Sequence, residues 1–155
     1  MIADATSAAG ALLGYDARAT TAAGAPVAVD CQPAPGSAAP IGTTSVRCIA
    51  VDPATRAVSL GAFSVTIVDG PPVVNVPSGI VARATSLLGA LVSFNVTATD
   101  AVDGPLPVEC SPSAPLGLPI LFPVGNTTVT CQATDSAHHM TTSSFVVRVL
   151  GLLGL

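Results

Sequence analysis

The sequence predicts an all-β protein made of two tandem β-sandwich modules, each closed by one disulfide. Three observations predict it: an internal repeat marked by four cysteines, short stretches of strictly alternating apolar and polar residues, and Gly, Pro and Asp turns between them.

The repeat comes first, because it organises everything else. A shift of 79 residues places Cys31 on Cys110 and superposes residues 3–31 on 82–110 without a gap. Ala5-Thr6-Ser7 falls on Ala84-Thr85-Ser86, Gly10-Ala11-Leu12 on Gly89-Ala90-Leu91, and Pro26 on Pro105. After a loop four residues longer in the second copy, TTSVRCIAVD (43–52) falls on NTTVTCQATD (126–135), and GAFSVTIV (61–68) on SSFVVRVL (143–150). Residues 1–69 are read as module one, lacking its first strand, and 70–155 as module two with an apolar C-terminal tail. The missing strand is the one PPVVNVPSGI supplies to the second copy.

Strands in the second copy are expected near 73–76, 80–84, 91–99, 106–110, 127–134 and 143–150. Val92, Phe94, Val96 and Ala98 alternate with Ser93, Asn95, Thr97 and Thr99, and Phe145, Val147 and Val149 with Ser144, Val146 and Arg148. In the first copy Leu13, Tyr15 and Ala17, and then Phe63, Val65 and Ile67, repeat the pattern. A strand with one buried and one wet face produces this alternation. Short strands at this spacing indicate a sandwich.

Each cysteine lies on an inward face, and one pair per repeat selects Cys31–Cys48 and Cys110–Cys131 from the three possible pairings. Modules this small need a staple, and closing such a loop contributes about 3 kcal/mol in the chain-entropy account. Disulfides imply an oxidising compartment.

Composition narrows the function. Charged residues are 9% of the chain, against about 25% in an average soluble domain, so little keeps copies apart. The net charge is −4 and lysine is absent, which argues against nucleic acid, since phosphate binding needs a positive footprint. No apolar run is long enough to span a membrane. The N-terminus lacks a positive region and carries an early aspartate, which makes a poor signal peptide. A secretion signal is therefore expected upstream, or the chain is a piece of something longer.

The blocks TATDAVDGPLPVEC, FPVGNTTVTCQATDSA and SFVVRV of the second copy resemble the hyalin-repeat module; IGTTSVRCIAVD and GAFSVTIV carry a weaker likeness in the first. The resemblance implies an immunoglobulin-like fold and an extracellular role in adhesion or structure rather than catalysis. One departure is Ala137-His138-His139, where the family has a Gly-Asn turn.

Candidate sites follow from residue type and place. Asp100, Asp103 and Asp135 end strands in the second copy and offer oxygens that could share a calcium between loops. Against calcium, DAVDG lacks the ligand density of a calcium loop and the first copy keeps neither Asp100 nor Asp103, so turn capping is the weightier reading. No other cofactor and no catalytic residue is expected: no nucleophile elbow is present, and adjacent His138 and His139 belong to an exposed turn. Asn95 and Asn126 stand in N-x-[ST] glycosylation acceptors. QPAPGSAAP (32–40) and SPSAP (111–115) resemble contexts in which proline is hydroxylated and glycosylated.

Ile49 and Val51 should face outward from the first copy, as Val146 does from the second, and Leu152, Leu153 and Leu155 make the tail apolar. Apolar rows beside open edges become contacts in an assembly. The function expected is therefore a non-enzymatic structural repeat of an extracellular fibre, appendage, coat or matrix. Its partners would be copies of itself or neighbouring repeats. The alternative is an adhesion module of a larger surface protein that binds a protein or carbohydrate through its loops.

Overall fold

A computed structural model describes residues 1–112 and 118–152. The described chain is all-β and divides into two compact units, Met1–Gly70 and Pro71–Leu155. Each is an immunoglobulin-like sandwich with one disulfide.

The first unit contains β1 (Ile2–Asp4), β2 (Ala11–Leu12), β3 (Ala19–Thr20), β4 (Pro26–Val27), β5 (Val29–Gln32), β6 (Ala38–Ala39), β7 (Gly42–Val51) and β8 (Val58–Val68). Its main sheet runs β1-β8-β7-β5, and two short pairs, β2-β6 and β3-β4, complete it. The second unit contains β9 (Val73–Asn75), β10 (Ile80–Arg83), β11 (Ala90–Val92), β12 (Thr97–Asp100), β13 (Gly104–Leu106), β14 (Glu109–Ser111), β15 (Ile120–Phe122), β16 (Gly125–Thr134) and β17 (Met140–Leu150). Its sheets are β10-β17-β16-β14 and β13-β12-β9, with β11 paired to β15. In both units the last strand takes a parallel partner on its outer side, β1 on β8 and β10 on β17.

The alternating stretches became the long hairpins β7-β8 and β16-β17 because only one face of each finds a core. Val129, Phe145, Val147 and Val149 are buried, while Thr128, Ser144, Val146 and Arg148 lie on the other face. An aromatic contact repeats at equivalent places: Tyr15 meets Phe63 and Phe94 meets Phe145, each edge-on with ring centroids 5.0 Å apart.

Two expected strands divide. The stretch 91–99 splits into β11 and β12, because its first half pairs with β15 and its second with β9 and β13. Phe94 sits at the crossing, packed between Phe122 and Phe145, so burial still alternates where the ladder is broken. The stretch 106–110 splits around Pro107, which has no N–H for a ladder and stands where the chain leaves β13 for β14. The final strands also begin earlier than expected, at Val58 and Met140.

Candidate assembly surface

The two disulfides are Cys31–Cys48 and Cys110–Cys131. Each joins residues directly opposite in one sheet, β5 to β7 and β14 to β16, and so ties the edge strand of that sheet to its neighbour.

On the outward face of β7-β8, Ile49 lies opposite Leu60 and Val51 opposite Val58. These cross-strand pairs touch side by side, and all four are exposed: 40% for Ile49, 41% for Val51, 59% for Val58 and 80% for Leu60. The next rung, Arg47 opposite Ala62, closes the strip with a charge. The equivalent rungs of the second unit are Gln132 opposite Thr142 and Thr134 opposite Met140, so the same face there is mostly polar. The apolar strip is thus a property of the first repeat rather than of the fold.

Val58 and Leu60 are the members that sequence reasoning missed. Their signal was the alternation Val58-Ser59-Leu60, which starting the strand at residue 61 cut off. Val146 is exposed on the outer face of β17, opposite Thr128. Leu152 is exposed beyond the end of that strand, whereas Leu153 and Leu155 lie outside the described residues.

The acidic residues hold turns. Asp100 accepts hydrogen bonds from the N–H groups of Val102 (2.7 Å) and Asp103 (3.0 Å) through one oxygen. Asp103 accepts from the Ser136 N–H and hydroxyl, both at 2.8 Å, and so ties the β12-β13 turn to the end of β16. Asp135 is buried and accepts from the His139 N–H at 2.7 Å, with the His139 ring Nδ1 2.9 Å from its other oxygen. Burial pushes the Asp135 carboxyl up, but these bonds and the nearby ring outweigh it and hold the carboxyl below its ordinary range. Asp52, its equivalent in the first unit, is also held low, chiefly by the Ala54 N–H. The two turns share a left-handed residue as well, Arg56 at φ 62° and His138 at φ 68°. The adjacency of His138 and His139 concealed the role of His139, which is set by a partner four residues back.

Asn95 and Asn126 are exposed, Asn95 between β11 and β12 and Asn126 near the start of β16. Of the two proline-rich stretches, 32–40 lies mostly on the first unit's surface, with Ala39 buried, and residues 113–115 of the other lie outside the described residues. Among the described residues no helix is long and apolar enough to cross a membrane.

No family model matches this chain, and no curated protein matches it either. Solved structures similar to it include protocadherin gamma B2 extracellular cadherin domains 3-6, at 15% identity and a TM-score of 0.37 over 70% of this chain and 31% of that one. The fibronectin(III)-like modules of Clostridium thermocellum CbhA are similar at 20% identity and a TM-score of 0.39, over 74% of this chain and 66% of that one. Drosophila N-cadherin EC1-4 is similar at 8% identity and a TM-score of 0.37, over 90% of this chain and 39% of that one. The chain spans about a third of the protocadherin fragment's length. Likeness at this level assigns no family.

Proposed function

We propose that this chain is a non-enzymatic structural repeat of an extracellular fibre, appendage, coat or matrix, which assembles through the surfaces of its β-sandwiches. The observation that carries the reading is the strip Ile49, Leu60, Val51 and Val58, four exposed apolar residues side by side on a chain with only 9% charged residues. Covering such a strip removes apolar area from water, and the low charge offers little repulsion to oppose contact. The partners are copies of the chain or neighbouring repeats. The disulfides support an extracellular setting, and glycans on exposed Asn95 and Asn126 would keep the remaining uncharged surface solvated.

Electron microscopy of the unreduced protein over a concentration series tests this. Ordered filaments or sheets are the expected result. Discrete single particles at every concentration would overturn the proposal.

A further inference from the structure

The outer face of the first unit's main sheet carries an acid and a base beside the apolar strip. Asp30 on β5 lies directly opposite Ile49 on β7, and Gln32 lies opposite Arg47, so Asp30, Ile49 and Arg47 share the outward face. Both charged residues are exposed. Across the β7-β8 hairpin the same rungs continue to Leu60, opposite Ile49, and to Ala62, opposite Arg47. Ile49 is thus flanked by an acid on the neighbouring strand and by a base two residues before it on its own. Asp30 and Arg47 are diagonal neighbours, a spacing of about 7–8 Å in an antiparallel pair. Among the described residues neither takes part in an ion pair, and no hydrogen bond reaches the Asp30 carboxylate.

The second unit keeps the acid but not the arrangement. Glu109 stands at the position of Asp30, and the residue opposite it is Gln132, whose Nε2 donates to the Glu109 carboxylate at 3.4 Å. Thr130 stands at the position of Arg47. Of the two units, only the first sets its acid against an apolar neighbour and adds a base beside it. A surface with an apolar centre and opposite charges on adjacent sides is complementary to itself. Turning a second copy over about a two-fold axis that runs between Arg47 and Asp30 brings Arg47 of each copy onto Asp30 of the other. The same operation sets Ile49 and Leu60 of the two copies face to face. Guanidinium and carboxylate match as planar, doubly bonded partners, and pairs formed beside an apolar contact lose the water that would screen them.

We propose that the strip docks on the same strip of a second copy about a two-fold axis, with reciprocal Arg47–Asp30 ion pairs fixing the orientation. Apolar burial supplies the drive, and the charge pairs set the register and reject surfaces that lack them. This rests on the assembly reading above and names its first contact. A two-fold contact closes on itself, so it makes pairs of chains, and growth into a fibre or sheet uses a further surface.

Sedimentation over a concentration series of the wild type, of Arg47→Glu, of Asp30→Arg and of an equimolar mixture of the two variants tests the pairing. Arg148, exposed on the outer face of β17, provides a control, since Arg148→Glu changes the net charge as Arg47→Glu does. Both substituted positions are exposed, and unchanged thermal midpoints establish that the variants are folded. In either variant alone the two-fold contact sets like charges together twice, and in the mixed pair it sets opposite charges together twice. The expected result is association of the wild type and of Arg148→Glu, a loss of about tenfold or more in the association constant of each variant alone, and recovery in the mixture. Association unaffected in both variants overturns the pairing and leaves the assembly reading standing. Loss in only one variant, loss in both without recovery in the mixture, or equal loss in Arg148→Glu also overturns the pairing. A wild type that stays monomeric at every concentration overturns both this proposal and the assembly reading.

Discussion

Replacing Gly89 with alanine probes how closely β11 approaches β15. Gly89 has φ +123°, and a Cβ there would fall on the Phe122 carbonyl, 2.8 Å from its carbon. Gly104, in the same unit, has φ +76°, but a Cβ there would meet nothing within 4 Å. Both alanines incur the backbone cost of an L-residue in this region, about 1–2 kcal/mol. Only Gly89→Ala adds forced separation of packed backbone, about 1–3 kcal/mol. Gly89→Ala should therefore cost roughly 2–5 kcal/mol and Gly104→Ala about 1–2 kcal/mol. Urea titration of each variant reads the difference. With a slope of about 1–3 kcal/mol per molar, the Gly89→Ala midpoint should fall roughly 1 M further than that of Gly104→Ala. Equal midpoints would refute the close approach. Gly10→Ala repeats the experiment in the first unit, where the Cβ would lie 2.9 Å from the Pro40 Cα.

Cys110→Ser with Cys131→Ser should destabilise the second unit by about 3 kcal/mol, seen as a lower thermal midpoint of that unit alone. Asp52 and Asp135 have folded pKa values below the ordinary one, so their contribution is complete above the ordinary aspartate range and is lost as pH falls through the folded values. Thermal midpoints should therefore drop on acidification below about pH 4, and Asp135→Asn should flatten the fall for the second unit; an unchanged slope in that variant would assign the effect elsewhere. Leu60→Ser with Val58→Thr should weaken self-association measured by sedimentation while leaving the thermal midpoint in place. If Asn95 and Asn126 carry glycans, as proposed, enzymatic deglycosylation of native material should lower its mass, and Asn95→Gln with Asn126→Gln should abolish that shift.

The all-β class, the repeat and the cysteine pairing were legible in the sequence for a common physical reason. A strand with one buried face must alternate apolar and polar residues, and residues 127–134 do so with Cys131 on the inward side, as residues 143–150 do with Phe145, Val147 and Val149. Local chemistry also marked Asp100 and Asp135 as turn residues. Where each alternating stretch finds its partner was not legible. Residues 91–99 alternate throughout, yet the ladder breaks at Phe94, because burial depends on facing a core and pairing depends on which strand is adjacent. The same gap hid the role of His139, which comes from Asp135 folding back across a turn.

The sequence by itself therefore determined the class of structure, its duplication and its covalent staples, because those depend on residue type and spacing along the chain. Only the tertiary structure decided that Ile49, Leu60, Val51 and Val58 join into one strip, and that Val74 of β9 lies opposite Ala98 of β12 in the second unit. Both depend on which residues lie opposite each other across strands, and a shift of one residue in register would have turned each of those side chains to the other face.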